Sequence, residues 1–236
     1  SWQTSDPKSM KLLSITMIIL LAGAAQAQSL RGLAKLPTSG ASGLQGSVGT
    51  GFADFSVKSP KEDLKMDRGM YVAGSIERGF DVMNLYLTLS LSYMSAEGTS
   101  NYKYTILSGT KTYSATDVKF KSEIADLALG LKLKLIDDYW FRPYVEGGGL
   151  GGYHQVKYSS LQTALAGQGT DYKSSDVVMG SGYYGEAGIE AMFSDSFGVK
   201  LAGRLSNYQT KALETFDNRA MQFSTETYYF SLLFGM

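Results

Sequence analysis

NLYLTLSLSYM, residues 84–94, decides the fold. Leu85, Leu87, Leu89, Leu91 and Tyr93 share one parity, and Tyr86, Thr88, Ser90 and Ser92 share the other. Successive side chains leave a strand on opposite faces, so strict alternation marks a β-strand; the same period would smear leucine all round a helix. The leucine face must be covered by something apolar, either a protein core or lipid.

Seven further segments alternate in the same way. GSVGTGFADFSVK (46–58) has weak parity, with Ala53, Phe55 and Val57 as the expected apolar face. MYVAGSIERGF (70–80) carries Met70, Val72 and Ile76 on one side, and EIADLALGLKLKL (123–135) sets Leu127, Leu129, Leu131, Leu133 and Leu135 against Asp126, Lys132 and Lys134. YWFRPYVEGGGLGGYH (139–154) opposes Phe141, Val145 and Tyr153 to Arg142, Tyr144, Glu146 and His154. VMGSGYYGEAGIEAMF (178–193) sets Met179, Tyr183, Ala187, Ile189, Ala191 and Phe193 against Tyr184, Glu186 and Glu190. FGVKLAGRLSN (197–207) opposes Val199, Leu201 and Leu205 to Lys200 and Arg204, and TYYFSLLFGM (227–236) offers Tyr228, Phe230, Leu232, Phe234 and Met236. Short connections (around FDVM, IDD and SDSF) alternate with longer ones, of which 95–116 and 155–176 are the longest. That describes an up-and-down meander with short turns at one end and long loops at the other.

The chain has 236 residues, zero formal net charge, no cysteine, 16 tyrosines, 27 glycines and four prolines. Zero charge gives no field for nucleic acid, and the lack of cysteine removes disulfides and thiolate chemistry. From Met10 the sequence MKLLSITMIILLAGAAQAQS reads as a secretory signal peptide over 10–27, cleaved after Ala25-Gln26-Ala27. Its apolar run is shorter than the ~20 residues a membrane helix needs. Residues 1–9 are read as a non-native or over-long extension, 28–45 as a flexible lead-in, and 46–236 as the folded domain.

Period-two alternation fits a soluble calyx with leucines inward as well as a membrane barrel with leucines outward. Export, eight strands without disulfides, and apolar faces ending in Tyr93, Phe141, Tyr153, Phe193, Tyr228 and Phe234 favour the barrel. The expected fold is an all-β, eight-stranded antiparallel up-and-down transmembrane β-barrel.

RPYVEGGGLGGYH (142–154) and the C-terminal YYFSLLFGM (228–236) resemble the Pro-Tyr-glycine strand and the terminal assembly signal of a known family. That family is the small outer-membrane β-barrels of Gram-negative bacteria, of OmpA and OmpX type. The resemblance spans about 46–236, and its final residue departs from the family's usual Phe, being Met236. It implies residence in the cell outer membrane as a monomer, among outer-membrane lipids and lipopolysaccharide. It also implies delivery by the barrel-assembly machinery through Tyr228, Phe230, Leu232, Phe234 and Met236. No peptidoglycan-binding domain follows, so that anchoring role is not implied.

In such a barrel the polar faces line the lumen. Glu77, Lys134, Arg142, Glu190 and Lys200 are then expected near the periplasmic ends, with Asp126, Lys132, Glu146, Glu186 and Arg204 nearer the middle. Five acids and five bases are expected to pair, with Arg204 on Glu186 or Glu146 and Arg142 on Glu190, because unpaired buried charge is costly. Eight strands leave room for little but side chains, so the expectation is a plugged lumen. The alternative is a small channel for ions or small solutes through those pairs.

GGGLGG (147–152) matches a dinucleotide fingerprint in letters, but no helix pattern follows it. His154, the only histidine, is expected at the lumen mouth as a polar rim residue; a lipid-modifying enzyme would have to use it. The H-x-S spacing of such deacylases fails at Val156, with Ser159 and Ser160 on the following loop. No enzyme activity, cofactor or metal site is expected. Function is assigned to the loops at 95–116 and 155–176, as envelope structure or as a surface that meets a host or cell-surface ligand. The first of these still alternates through Tyr102, Tyr104 and Ile106, so a hairpin projecting from the membrane is expected there.

Overall fold

The computed structural model describes residues 44–58, 63–80, 84–105, 111–136, 140–166, 172–194, 196–214 and 219–235. The N-terminal extension, the signal peptide with Ala25 and Ala27, most of the lead-in, Ile106 and Met236 lie outside the described residues.

The elements are β1 (Leu44–Lys58), β2 (Asp63–Met66), β3 (Gly69–Gly79), β4 (Leu85–Thr105), β5 (Thr112–Lys134), β6 (Phe141–Tyr158), α1 (Leu161–Ala164), β7 (Ser175–Ser194), β8 (Phe197–Leu213) and β9 (Arg219–Gly235). The long strands pair antiparallel in chain order, and β9 returns to β1 from Gln45↔Gly235 to Lys58↔Gln222, which closes the ring. The eight long strands are those expected. A ninth, β2, was not: the SPKEDLKMD connection holds a short strand that pairs with β1 at Val57↔Leu64 and with β4 at Lys65↔Thr99.

Face polarity settles what the leucines touch. Leu91 is 63% exposed and Leu129 56%, whereas Thr88, Asp126 and Lys132 are all at 2% or less. Leu87, Leu89, Leu127, Leu131, Met70, Ile76, Leu201 and Phe230 extend the exposed belt around the ring. A soluble monomer does not present a continuous apolar belt of this size to water. With charges inside and leucines outside, the barrel is solvated by lipid.

Two aromatic girdles bound the belt. Phe52, Tyr153, Tyr183 and Tyr228 are exposed at one level, with Tyr93 outward on the same rim. Phe80, Trp140, Phe193, Phe197 and Phe234 are exposed at the other, where Phe193–Phe197 and Phe197–Phe234 centroids lie 6.1 and 6.2 Å apart. The ten residue steps from Tyr183 to Phe193 span about 25 Å along the axis at ordinary strand tilt, the height of a bilayer's apolar band.

Beyond the outer girdle the polarity of each strand inverts. In β4 the outward residues change from Leu91 and Tyr93 to Ser95, Glu97 and Thr99, while the inward ones change from Ser90 and Ser92 to Met94 and Ala96. In β5, Lys119, Lys121 and Glu123 face out, and Val118, Phe120 and Ile124 face in. The membrane-spanning parts therefore end near Tyr93, Ala125, Tyr153 and Tyr228. Above them the sheet continues as a water-exposed crown with an ordinary apolar core.

This inversion corrects two expectations. Ala53 and Phe55 are not on the lipid face of β1: they point inward, 0% and 8% exposed, and Leu44, Val48 and Phe52 take the lipid side. The stretch 95–116 is not mainly loop either, whereas at 155–176 strand takes only the ends and the connection between β6 and β7 carries α1. β4 and β5 stay paired to Thr105↔Thr112, the projecting hairpin that the alternation suggested, with one bulge between Ser100 and Tyr102. β6 and β7 stay paired to Lys157↔Ser175.

Candidate functional site

The lumen is filled in two tiers. All ten charged side chains assigned to it from sequence lie inside, buried or nearly so. In the lower tier Lys132 is the centre. Its Nζ contacts Glu77 Oε2, lies 2.9 Å from Glu190 Oε1 and 3.7 Å from Glu146 Oε2, and sits 4.5 Å from the Tyr144 ring centroid. Lys134 Nζ lies 2.7 Å from Glu77 Oε1 and 3.1 Å from Glu190 Oε2. Two lysines from β5 thus bind carboxylates of the adjacent β6 and of β3 and β7, each two strands away around the ring. In so narrow a closed cylinder the curvature brings those faces within reach of a lysine stem.

This lysine hub was not anticipated from sequence, where the pairs named were centred on arginines. Arg204 places its guanidinium carbon 3.9 Å from the Tyr184 ring centroid, a stacking that the planar cation favours. Arg142 is buried opposite Glu190 in the β6–β7 register. Glu186 has Lys200 Nζ at 3.7 Å and accepts a hydrogen bond from the Tyr144 hydroxyl at 2.7 Å. Glu146 accepts from the Tyr184 and Thr88 hydroxyls at 2.6 and 2.8 Å, and Asp126 from Tyr208 at 2.6 Å. Inward tyrosines as carboxylate donors were missed from the sequence. Their signal was present, since Tyr144, Tyr184 and Tyr208 share parity with the lumen charges.

Glycines make room for these hydroxyls. A Cβ at Gly130 would overlap the Tyr184 hydroxyl, and one at Gly188 would come within 2.6 Å of the Tyr144 hydroxyl. Gly130→Ala should therefore lower stability by about 1–3 kcal/mol through overpacking, read as a shifted urea midpoint in detergent. Adding Tyr184→Phe should return part of that loss, because the two changes share one contact.

The upper tier is apolar. Tyr102, Tyr113, Val118, Phe120, Val156, Tyr158, Leu213, Met221 and Phe223 are all buried in one cluster inside the crown. Tyr102 and Phe120 pack on Tyr158 with centroids 5.0 and 5.9 Å apart. α1 and the turn after it drop Leu161 and Leu165, each 2% exposed, onto this cluster as a lid. Lys119 ties the lid down: its carbonyl accepts from Ser159 N at 3.0 Å, and its N–H donates to Ser160 Oγ at 3.1 Å. Lys173 bridges Asp176 and Glu214 at 3.2 and 3.0 Å; burial opposes its charge, but the two carboxylates hold its pKa above the ordinary value. On the collar, hydrogen bonds from Tyr93 and Lys121 hold the Glu123 carboxyl down to about 2.

His154 is not on an open rim. It lies just above the outer girdle, 2% exposed, with its ring centroid 3.9 Å from that of Phe223 and its Nε2 2.8 Å from Ser122 Oγ. Burial pushes its pKa down to about 3, so the ring is neutral at physiological pH. Ser122, 0% exposed, is the partner, rather than Ser159 or Ser160.

No protein-family model matches the chain, and no curated protein matches it. Among solved structures it is similar to Ail, the attachment invasion locus protein of Yersinia pestis, in complex with the heparin analogue sucrose octasulfate: 14% identity, 82% of this chain and 99% of that one covered, TM-score 0.44. It is also similar to Neisserial surface protein A, at 12% identity, 80% and 96% coverage and TM-score 0.46. The third is the outer membrane protein OprG from Pseudomonas aeruginosa, at 13% identity, 84% and 99% coverage and TM-score 0.42. With its closed ring, outward leucine belt and buried charges, the chain has the fold of a small eight-stranded transmembrane β-barrel, the architecture expected from its resemblance to the OmpA- and OmpX-type barrels.

Proposed function

We propose that the protein is a closed display scaffold, which holds a rigid crown above the outer membrane for contact with a host or cell-surface ligand. The observation that carries this reading is the crown itself. The β4–β5 hairpin stays paired from Met94↔Ile124 to Thr105↔Thr112, with one bulge between Ser100 and Tyr102, and is stiffened by its own apolar core. Its outward row Asn101, Lys103, Thr105, Thr112, Ser114 and Thr116 is exposed and polar. A preordered surface loses little entropy on binding, which suits recognition of an external ligand. Lipopolysaccharide and outer-membrane lipids would surround the belt, and the barrel-assembly machinery would insert the chain by its last strand.

The two tiers argue against a diffusion pore, and the buried Ser122–His154 pair, closed over by Phe223, argues against catalysis. Lys103→Glu with Lys119→Glu changes only exposed groups. Attachment of bacteria carrying that variant to host cells should fall at least several-fold, while the folded barrel remains heat-modifiable on gels. Unchanged attachment would remove the proposal, and so would steady conductance of the unaltered protein in a planar bilayer.

A further inference from the structure

On β7 the change from lipid face to water face comes late. Its girdle residue is Tyr183, yet the outward side chains four and six residues nearer the crown are Met179 and Val177, each 54% exposed. Across the seam β6 has already turned polar: Val177 stands opposite Gln155 and Ser175 opposite the exposed Lys157, while Met179 stands beside Tyr153 of the girdle. The first outward residues above the girdle are polar on β1, β4, β5, β8 and β9 as well, at Asp54, Ser95, Glu123, Asn207 and Glu226. Val177, Met179 and Tyr153 therefore form an apolar patch within a polar collar, and such a patch marks a surface that meets a partner.

Below the girdle the same two strands are bare. Gly147, Gly149 and Gly151 share the outward parity of Tyr153, and Gly147 pairs with the outward Gly185. Crowding explains other glycines: a Cβ at the inward Gly148 or Gly152 would overlap the backbone of β5 at Leu129 or Ala125. It does not explain these. A Cβ would find its nearest neighbour at 3.5 Å from Gly147, 3.9 Å from Gly149 and 3.8 Å from Gly151, and nothing within 4 Å at Gly185. Glycine weakens a strand interior and marks places where another surface comes close. Small residues are also what membrane proteins place where two walls meet. Patch and bare strip make one continuous face from the bilayer into the collar, so its cover must itself stand in the membrane. The charges on the flanks identify that cover. Lys157 lies on the β6 side level with Ser175, and Glu214 on the β8 side, where its N–H donates to Asp176. Both side chains are exposed. A two-fold axis along the membrane normal through Val177 exchanges the flanks and brings Lys157 of each copy to Glu214 of the other, a self-complementary contact. We propose that the β6–β7 face is the interface of a homodimer, two barrels side by side in one membrane with Val177 near the axis.

The chain has no cysteine, so single-cysteine variants report proximity without background. Val177→Cys is compared with Ser56→Cys, an exposed position on β1 across the ring. Each protein is refolded, inserted into bilayers with lipid in large excess, oxidised at low salt, and scored as disulfide-linked dimer on non-reducing gels. Gel mobility before and after boiling shows that each barrel has closed. Val177→Cys should cross-link several-fold faster than Ser56→Cys. Adding Lys157→Glu should slow it several-fold, and adding Glu214→Lys to that should restore it, because the exchanged charges meet again across the axis. Gly185→Leu should also slow it several-fold while the barrel still closes, since its side chain enters open space. Cross-linking of Val177→Cys no faster than that of Ser56→Cys, the result expected if lipid or a different protein covers this face, overturns the proposal. So does fast cross-linking that neither the charge reversal nor Gly185→Leu alters. Should Val177→Cys fail to close, Met179→Cys is read in the same way.

Discussion

Lys132→Met should lower the unfolding free energy of the barrel by about 3–5 kcal/mol, the range for removing one side of a buried ion pair. Methionine keeps the stem's length and packing, so the change tests the charge. Without Nζ, Glu77 and Glu190 keep Lys134, and Glu146 keeps its tyrosine and threonine donors, but all three lose the central cation. Three carboxylates in a lumen closed to bulk water then share too little positive charge. The measurement is urea unfolding in detergent, followed by Trp140 fluorescence. Adding Glu77→Gln and Glu190→Gln to Lys132→Met should recover much of the loss, because it removes the uncompensated charge. A loss under about 1 kcal/mol for the single change would mean the knot is solvated, since exposed pairs contribute that little.

Leu129→Arg should cost about 2–4 kcal/mol, the range for a cation on the lipid face near the bilayer midplane. Leu129 lies on β5 between Leu127 and Leu131 and is 56% exposed. In water the same substitution at an exposed strand position would be close to neutral. The reciprocal change, Lys121→Leu, sits on the same parity of the same strand eight residues nearer the crown. It should cost little, because that position faces water and no lumen group depends on it. The pair therefore reads the inversion of polarity directly. Equal effects at the two positions would place both in one solvent and contradict the boundary at Tyr93 and Ala125.

The same inversion explains how far the sequence could be read. Within the bilayer one rule holds for every strand, and the lipid faces of 84–94, 123–135, 178–193, 197–207 and 227–235 are where alternation placed them. At the girdle the solvent outside changes from lipid to water and the apolar parity moves to the other face. Alternation over Met94, Ala96 and Tyr102 continues, but in opposite phase, and a reader following Leu85 to Tyr93 stops the strand there. The first segment shows the error most sharply: Ala53 and Phe55 are apolar and alternate, yet they belong to the crown's core rather than to the lipid face.

The site was legible in membership and not in pairing. Parity alone put the ten charges inside, because a lipid-facing charge is expensive. Which cation meets which anion depends on the diameter and stagger of the closed ring, and these bring lysines of β5 to carboxylates of β3 and β7, two strands away on either side. No local spacing encodes that. His154 shows the same limit: its inward parity was evident, but Ser122 reaches it from the neighbouring β5 and Phe223 from β9, distant in sequence. β2 escaped because four residues, DLKM, carry too short a pattern to separate strand from loop.

The central claim is that the leucines of NLYLTLSLSYM and of β5 face lipid. The most direct measurement places a single tryptophan at Leu129, in a Trp2→Phe/Trp140→Phe background, and reconstitutes the protein in bilayers whose acyl chains are brominated near the membrane centre. Strong quenching at Leu129→Trp, with little at Lys121→Trp, is the result this structure predicts. Absence of quenching at Leu129→Trp in a folded, heat-modifiable barrel would put the leucines away from lipid and contradict it.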